Sequence, residues 1–263
     1  VGDRMPGGKP RRREPGKWKL WNFFSEEDAI QPYLPPMAIF SEHTLQSYIG
    51  MYQLVFVKPD YGRGGRGVIK IWRTQNGYAY IREKGATIRC KTVESLYRKI
   101  KQHLQPGKRY LIQEGIRLAK INGRPFDIRL MMMREYGRWK YIGMLAKVAG
   151  PNSAVTNIAR GKGYVTGVRY ALKKSLNLSE ASINALLEEM KELGFRTCRR
   201  FDEYNTTYWQ VGLDLAVDKN GKLWIIEENT APTQSLFARL KDKSMYRQIR
   251  RLNAIRKKRQ QKR

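Results

Sequence analysis

Three clusters of residues in this chain could do chemistry together. Lys58 ends the apolar run Leu54-Val55-Phe56-Val57 and is followed, after Pro59, by the loop Gly62-Arg63-Gly64-Gly65-Arg66-Gly67; Asp214 and the run Glu227-Glu228-Asn229 come much later. A lysine supplies a compact point charge, glycine amides can close over phosphate oxygens, and carboxylate and amide oxygens suit magnesium. These are the parts needed to hold a magnesium-bound nucleoside triphosphate. The loop lacks the G-x-x-x-x-G-K-[ST] order of a P-loop, and no helix follows to make a dinucleotide fingerprint, so the cradle is of another kind. An arginine-glycine run by itself equally describes a flexible or RNA-binding segment. Its place between two predicted strands favours phosphate, with Arg63 and Arg66 adding charge-assisted contacts.

The late acids sit among Leu213, Leu215, Ile225 and Ile226. They interrupt a buried sheet, where an unpaired carboxylate is costly and a metal ion would remove the cost. A hairpin with Asp218 opposite Gly221 places Asp214 opposite Ile225, and the two-residue strand period brings Glu227 and Asn229 onto the face of Asp214. Asp214, Glu227 and Asn229 are therefore the candidate magnesium ligands. Asp127 and Arg129 interrupt a strand otherwise made of Ile128, Leu130, Met131, Met132 and Met133. A structural ion pair explains them as well as catalysis does, and Lys147 and Asn157 are equally open. Gln113-Glu114-Gly115-Ile116 follows a strand and, on residue chemistry alone, is a plain loop. His43 and His103 have no partner at a telling spacing, and the methionine run reads as core.

The elements that must position these residues are strand pairs with interspersed helices. Strands are expected over Gln53–Lys58, Val68–Arg73, Gly77–Glu83, Tyr110–Gln113, Phe126–Arg134, Trp139–Val148, Val211–Val217 and Leu223–Glu228. Helices are expected over Thr92–Leu104, ended by Pro106-Gly107, and over Leu178–Leu193, capped by Ser179 and stopped by Gly194. This is not the strand-helix alternation of a doubly wound parallel sheet, so the fold class is α+β, with antiparallel layers in two lobes around a cleft. Residues 1–16 read as a flexible basic leader and 17–238 as the folded domain, with a smaller lobe over 44–108 and a larger one over 109–238. Residues 239–263, with 12 Lys or Arg against Asp242 alone, read as a dispensable basic tail.

The chain has 263 residues, 41% apolar, and carries a formal charge of +29. It has enough apolar material for a core and enough positive charge to attract polyanions, nucleic acid among them, through its ends. Two cysteines, Cys90 and Cys198, form no metal-binding spacing, and no stretch approaches a membrane span. A cytoplasmic setting is the expectation.

The segments PYLPP, LVFVKPDYGRGGRGV, LIQEGIRLAKINGRPFDIRLMMM, GMLAKVAG, VTNIARGKG and VGLDLAVDKNGKLWIIEENTAP, in that order, resemble the ATP-grasp superfamily and within it the YheC/YheD-like group, described as endospore coat-associated. The resemblance covers roughly Trp18 to Leu240. It implies an ATP-grasp fold in which Lys58 holds ATP phosphates, Gly62 to Gly67 form a lid, and Gln113, Glu114, Gly115 and Ile116 line the adenine site. It implies that Asp214, Glu227 and Asn229 bind magnesium, that Asp127 helps to bind the nucleotide, and that Arg129, Lys147 and Asn157 are the catalytic residues. A second phosphate lysine is Lys17 or Lys19, with Lys19 slightly preferred. The activity implied is ATP-dependent ligation, in which an unidentified carboxylate acceptor becomes an acyl phosphate and is attacked by an amine. Two positions depart from the pattern, Lys147 for an arginine and Lys162 for a glycine, and the family's separate N-terminal domain has no counterpart in 1–16. A non-catalytic spore coat protein of the same fold is the alternative.

Overall fold

The computed structural model describes residues 15–62, 64–83, 85–150 and 163–261. Two antiparallel sheets carry the chain. The first has the order β1 (Met37–Ile39), β6 (Tyr110–Glu114), β2 (Leu54–Pro59), β3 (Ile69–Thr74), β4 (Gly77–Arg82) and β5 (Ile88–Cys90). The second has the order β10 (Tyr164–Thr166), β9 (Arg138–Val148), β8 (Arg124–Glu135), β11 (Gln210–Val217) and β12 (Leu223–Asn229), with the short β7 (Lys120–Ile121) on β8. The fold class is therefore α+β, as the strand-pair pattern implies. Residues 37–39 and 110–114 complete the first sheet, which reaches beyond the 44–108 span expected from sequence.

Helices α2 (Glu42–Met51) and α3 (Val93–Lys101) cover one face of the first sheet, burying Leu45, Ile49, Leu96 and Ile100 against Val55, Val57 and Ile71. Both begin with a hydroxyl cap: Ser41 accepts from the Thr44 amide and Thr92 from the Ser95 amide. α3 stops at Lys101, a turn before Pro106-Gly107.

The short helix α4 (Val168–Ser175) and the long helix α5 (Glu180–Tyr204) pack on the second sheet. Ser179 caps α5, accepting from the Ser182 amide. The expected stop at Gly194 is overturned, since the helix continues ten residues further. Gly194 serves packing, because a Cβ there would lie 2.9 Å from Leu130 Cδ2. A glycine inside a helix costs about 1 kcal/mol of helix propensity, which close contact with the sheet can offset.

The region expected to be a dispensable tail is also corrected. Residues Ser244–Gln261 form α6, whose Ile249 and Leu252 are buried with Met131, Met133, Leu145 and Phe237. Gly143, at φ 150°, gives α6 its seat, since a Cβ there would fall 2.4 Å from Met245 Sδ. Charge count alone hid an amphipathic helix whose apolar stripe is narrow. Because α6 completes a core, Ile249→Ala should lower unfolding stability by about 2–5 kcal/mol in urea denaturation. Stability equal to the parent would show that α6 lies outside the cooperative unit.

Candidate functional site

A cleft of about 1120 Å³ lies where the two sheets face each other. β2 delivers Lys58 and the glycine loop to one side; β8, β9, β11 and β12 deliver Asp127, Arg129, Lys147, Asp214, Glu227 and Asn229 to the other. Gly62, Gly64, Gly65 and Arg66 line it from above, and Gln113, Glu114 and Ile116 line it at the strand crossing between the sheets. Gly67 and Gly115 are not wall residues: the Gly67 amide donates to Glu83 and the Gly115 amide to Leu54 O at 2.8 Å. Arg63 and Asn157 lie outside the described residues.

Lys58 is the distinctive group. Its side chain is 9% exposed, and its ammonium donates to Gln113 Oε1 at 2.7 Å. Among the described residues no carboxylate stands within ion-pair distance of it. Burial pushes its pKa down from 10.5 to about 8, with Glu227 opposing the fall and Lys17 adding to it. A buried cation short of counter-charge is a preformed anion site.

The opposite wall is the reverse case. Arg129 grips Asp214 with two bonds, Nε to Oδ1 at 2.7 Å and Nη2 to Oδ2 at 2.9 Å. The Lys147 ammonium stands 2.9 Å from Asp214 Oδ1 and 2.8 Å from Asp127 Oδ1. The strands dictate this arrangement, since Asp214 pairs directly with Arg129 and Asp127 with Lys147 across the sheet. Burial alone would raise the Asp214 pKa; Arg129 and then Lys147 reverse that and hold it well below the usual carboxylate range. Burial likewise works against the charge on Lys147, and its two carboxylate partners outweigh it. Asp127 and Arg129 are thus both ion-paired at the wall of the cleft itself, with Lys147 and Asp214 as their partners.

The expected hairpin register is corrected. Asp214 lies opposite Glu227, not Ile225, because Leu215 pairs with Ile225 and a bulge leaves Ile226 extra. The turn also closes one residue later than assumed, with Asp218 accepting from the amides of Asn220 and Lys222. Asp214, Glu227 and Asn229 still share the cleft, and the bulge turns Ile226 into it as well. They do not form a free triad of ligands, however. Asp214 is engaged by three cationic bonds and by the Asn229 amide at 3.5 Å. Glu227, one-third exposed and 3.4 Å from the Lys17 ammonium, and the amide oxygen of Asn229 are the oxygen donors better placed to take a hard cation. Among the described residues no group of three His, Cys, Asp or Glu is arranged to hold a metal.

The preference for Lys19 is overturned. Its ammonium sits over the Tyr204 ring at 5.1 Å, away from the cleft, whereas Lys17 Nζ lies in the cleft, 2.8 Å from Gly62 O and 3.4 Å from Glu227. Asp60, which sequence reasoning passed over, sets this up. Its Oδ1 accepts from the Trp18 amide at 2.9 Å and so caps α1 (Lys17–Ser25) from outside. Gly16 permits the approach, and the first residue of the helix points at the glycine loop. The signal was the Asp in KPDYG, two residues beyond Lys58. The cleft also gathers Lys70, Arg117, Lys120, Lys219 and Arg239, giving eleven basic against four acidic side chains in its lining. Only the net charge of the chain foreshadowed them.

The sequence matches the pattern of the "YheC/D like ATP-grasp" family over residues 12–255. The chain belongs to that family. Among its relatives are two proteins of Bacillus subtilis (strain 168). Endospore coat-associated protein YheD is 25% identical over 236 residues, covering 84% of this chain and 49% of YheD. Endospore coat-associated protein YheC is 23% identical over 234 residues, covering 86% of this chain and 62% of YheC. The chain thus spans about half to three-fifths of the length of these relatives. Among solved structures, the ATP-grasp ligase PsnB, complexed with a phosphomimetic variant of minimal precursor, Mg and ADP, superposes with a TM-score of 0.53 at 11% identity, covering 91% of this chain and 58% of PsnB. That likeness establishes the ATP-grasp fold.

The two walls predict opposite responses to mutation. Arg129→Ala strands the buried Asp214 charge and should cost about 3–5 kcal/mol in chemical denaturation. Lys58→Met removes a desolvated ammonium and should leave stability at pH 7 unchanged or raised. A large loss in Lys58→Met would mean that the ammonium is satisfied within the folded chain.

Proposed function

We propose that the cleft binds a magnesium-bound nucleoside triphosphate and that the chain is an ATP-dependent ligase joining a carboxylate to an amine. The observation that carries this reading is the buried Lys58 ammonium, with no carboxylate at ion-pair distance among the described residues, set beside a glycine loop on one side of a strongly basic cleft. Membership of the ATP-grasp family supports it. The endospore coat association of YheC and YheD supports a substrate in the spore envelope.

In this reading the base lies between Leu54, Phe56, Ile116 and Ile226, with Gln113 and Glu114 at its edge. Lys58 and Lys17 take phosphate oxygens, and the amides of Gly64 and Gly65 close over them. Lys17 exchanges its bond to Gly62 O for a phosphate contact. Glu227 and Asn229 would hold magnesium, with Asp214 beside them keeping its bonds to Arg129; bound there, the ion would neutralise charge on the phosphates. Arg129 and Lys147, held in place by Asp127 and Asp214, orient the acceptor carboxylate. An acceptor oxygen attacks the γ-phosphorus, the bond to the β-phosphate oxygen breaks, and ADP leaves. The amine then attacks the acyl carbon and releases phosphate. Positioning and charge stabilisation supply the rate, with no covalent nucleophile from the protein.

ATP with magnesium at a hundred times its dissociation constant should stabilise the protein by about 2.7 kcal/mol in thermal unfolding. Lys58→Met should abolish the effect, whereas a melting temperature indifferent to both ligands would exclude the site.

Affinity should also depend on pH. Lys58 loses its charge as pH rises through about 8. Burial pushes Glu228 up to about 7, so over the same range it gains a negative charge beside the cleft. Both changes weaken anion binding, so calorimetric affinity for the nucleotide should fall steadily between pH 7 and pH 9. A flat profile would contradict the assignment of Lys58.

A further inference from the structure

The wall that carries the ion pairs continues beyond the cleft. Alternation along β8 puts Asp127 and Arg129, which line the cleft, on the same face as Met131 and Met133, which pack beneath α6. α6 is therefore the cleft's neighbour on one sheet face. The chain between them belongs to both. Thr233, Ser235 and Arg239 line the cleft, Phe237 is buried with Ile249 and Leu252, and Asn253 Nδ2 donates to Gln234 Oε1 at 2.7 Å.

The outer face of α6 is a cationic stripe. Arg247, Arg250, Arg251, Lys257 and Lys258 are all exposed, and their spacing of three, four, ten and eleven residues places them on one side, opposite Ile249 and Leu252. The stripe runs about 16 Å along the helix. No acidic residue interrupts α6. One contact already shows its chemistry: the buried Glu135 carboxylate is held by Arg251 at 2.6 Å and by Lys140.

Three kinds of polyanion could meet such a stripe. A membrane surface would be gripped by an apolar helix face, and here that face is buried against the sheet. Single-stranded nucleic acid is gripped by charge together with open aromatic faces. Tyr246, partly buried, packs against the core under α6, and the exposed ring of Tyr136 already has one face taken by Arg259, 4.6 Å from its centroid. A carboxylate-rich chain needs only the cations, and it carries the group that the proposed cleft reaction consumes.

We propose that the outer face of α6 is a docking track for an acidic polypeptide, whose glutamate or aspartate side chains pair with Arg247, Arg250, Lys257 and Lys258 while a neighbouring carboxylate reaches the cleft past Arg239. What happens in the cleft rests on the ligase reading; the docking does not.

The test is fluorescence anisotropy of a labelled oligoglutamate peptide, titrated in about 0.15 M salt without nucleotide. The variant R247E/R250E/K257E/K258E should weaken binding at least about tenfold. The glutamine series at the same four positions should give an intermediate loss. Urea denaturation and the magnesium-ATP thermal shift of both variants should match the parent. Three results would overturn the proposal: no binding of the peptide to the parent, equal affinity in the glutamine series, or tighter binding of an oligothymidylate of equal charge. Peptide docking that survives while magnesium-ATP fails to stabilise the parent would sink the ligase reading alone.

Discussion

The two sides of the cleft differ in one respect, and the functional account depends on it. On the second sheet, Arg129, Lys147, Asp127 and Asp214 neutralise one another and need nothing from outside. On the first, Lys58 is equally buried but, among the described residues, bonds only an amide oxygen. The fall of its pKa from 10.5 to about 8 corresponds to about 3 kcal/mol held against the charged form. An arriving phosphate would return that free energy, so the fold stores on one wall what a ligand completes. The paired wall does the complementary job: it keeps two cations fixed and aimed without letting either collapse onto the ligand.

The rest of the architecture makes this contrast possible. β2 runs through the first sheet between β3 and β6, so Lys58 at its end is dry. The second sheet sets its acids and bases in direct cross-strand register, which no loop could hold as tightly. α1, capped by Asp60, carries Lys17 to the glycine loop and to Glu227 and so touches both walls. α6 secures the far end of the second sheet and backs the segment that follows the candidate metal residues.

Much of this was legible in the sequence. Strand alternation and turn signals marked eight strands and three hairpins but not the short β1, β5, β7 and β10, which carry only two or three residues each, and lysine, glycine loop and late carboxylates do converge on one cleft. What failed, failed for physical reasons. The register of the last hairpin turned on a bulge at Ile226 and on the side-chain bonds of Asp218, and neither leaves a mark in the alternation of apolar residues. Gly194 read as a stop because local propensity says nothing of Leu130 pressing against the helix. Lys19 and Lys17 are two residues apart, and only the docking of α1 through Asp60 decides between them. α6 looked like a charged tail because its apolar side chains, Met245, Tyr246, Ile249, Leu252 and Ile255, are spread among many cations.

The most direct test is to label lysine side chains at Cε and follow Lys58 by NMR across pH, assigning its signal with Lys58→Met. In the free protein it should titrate near 8, and saturation with a non-hydrolysable ATP analogue and magnesium should move that midpoint upward as phosphate stabilises the charge. A midpoint near 10.5 in the free protein, unmoved by the nucleotide, would contradict the account.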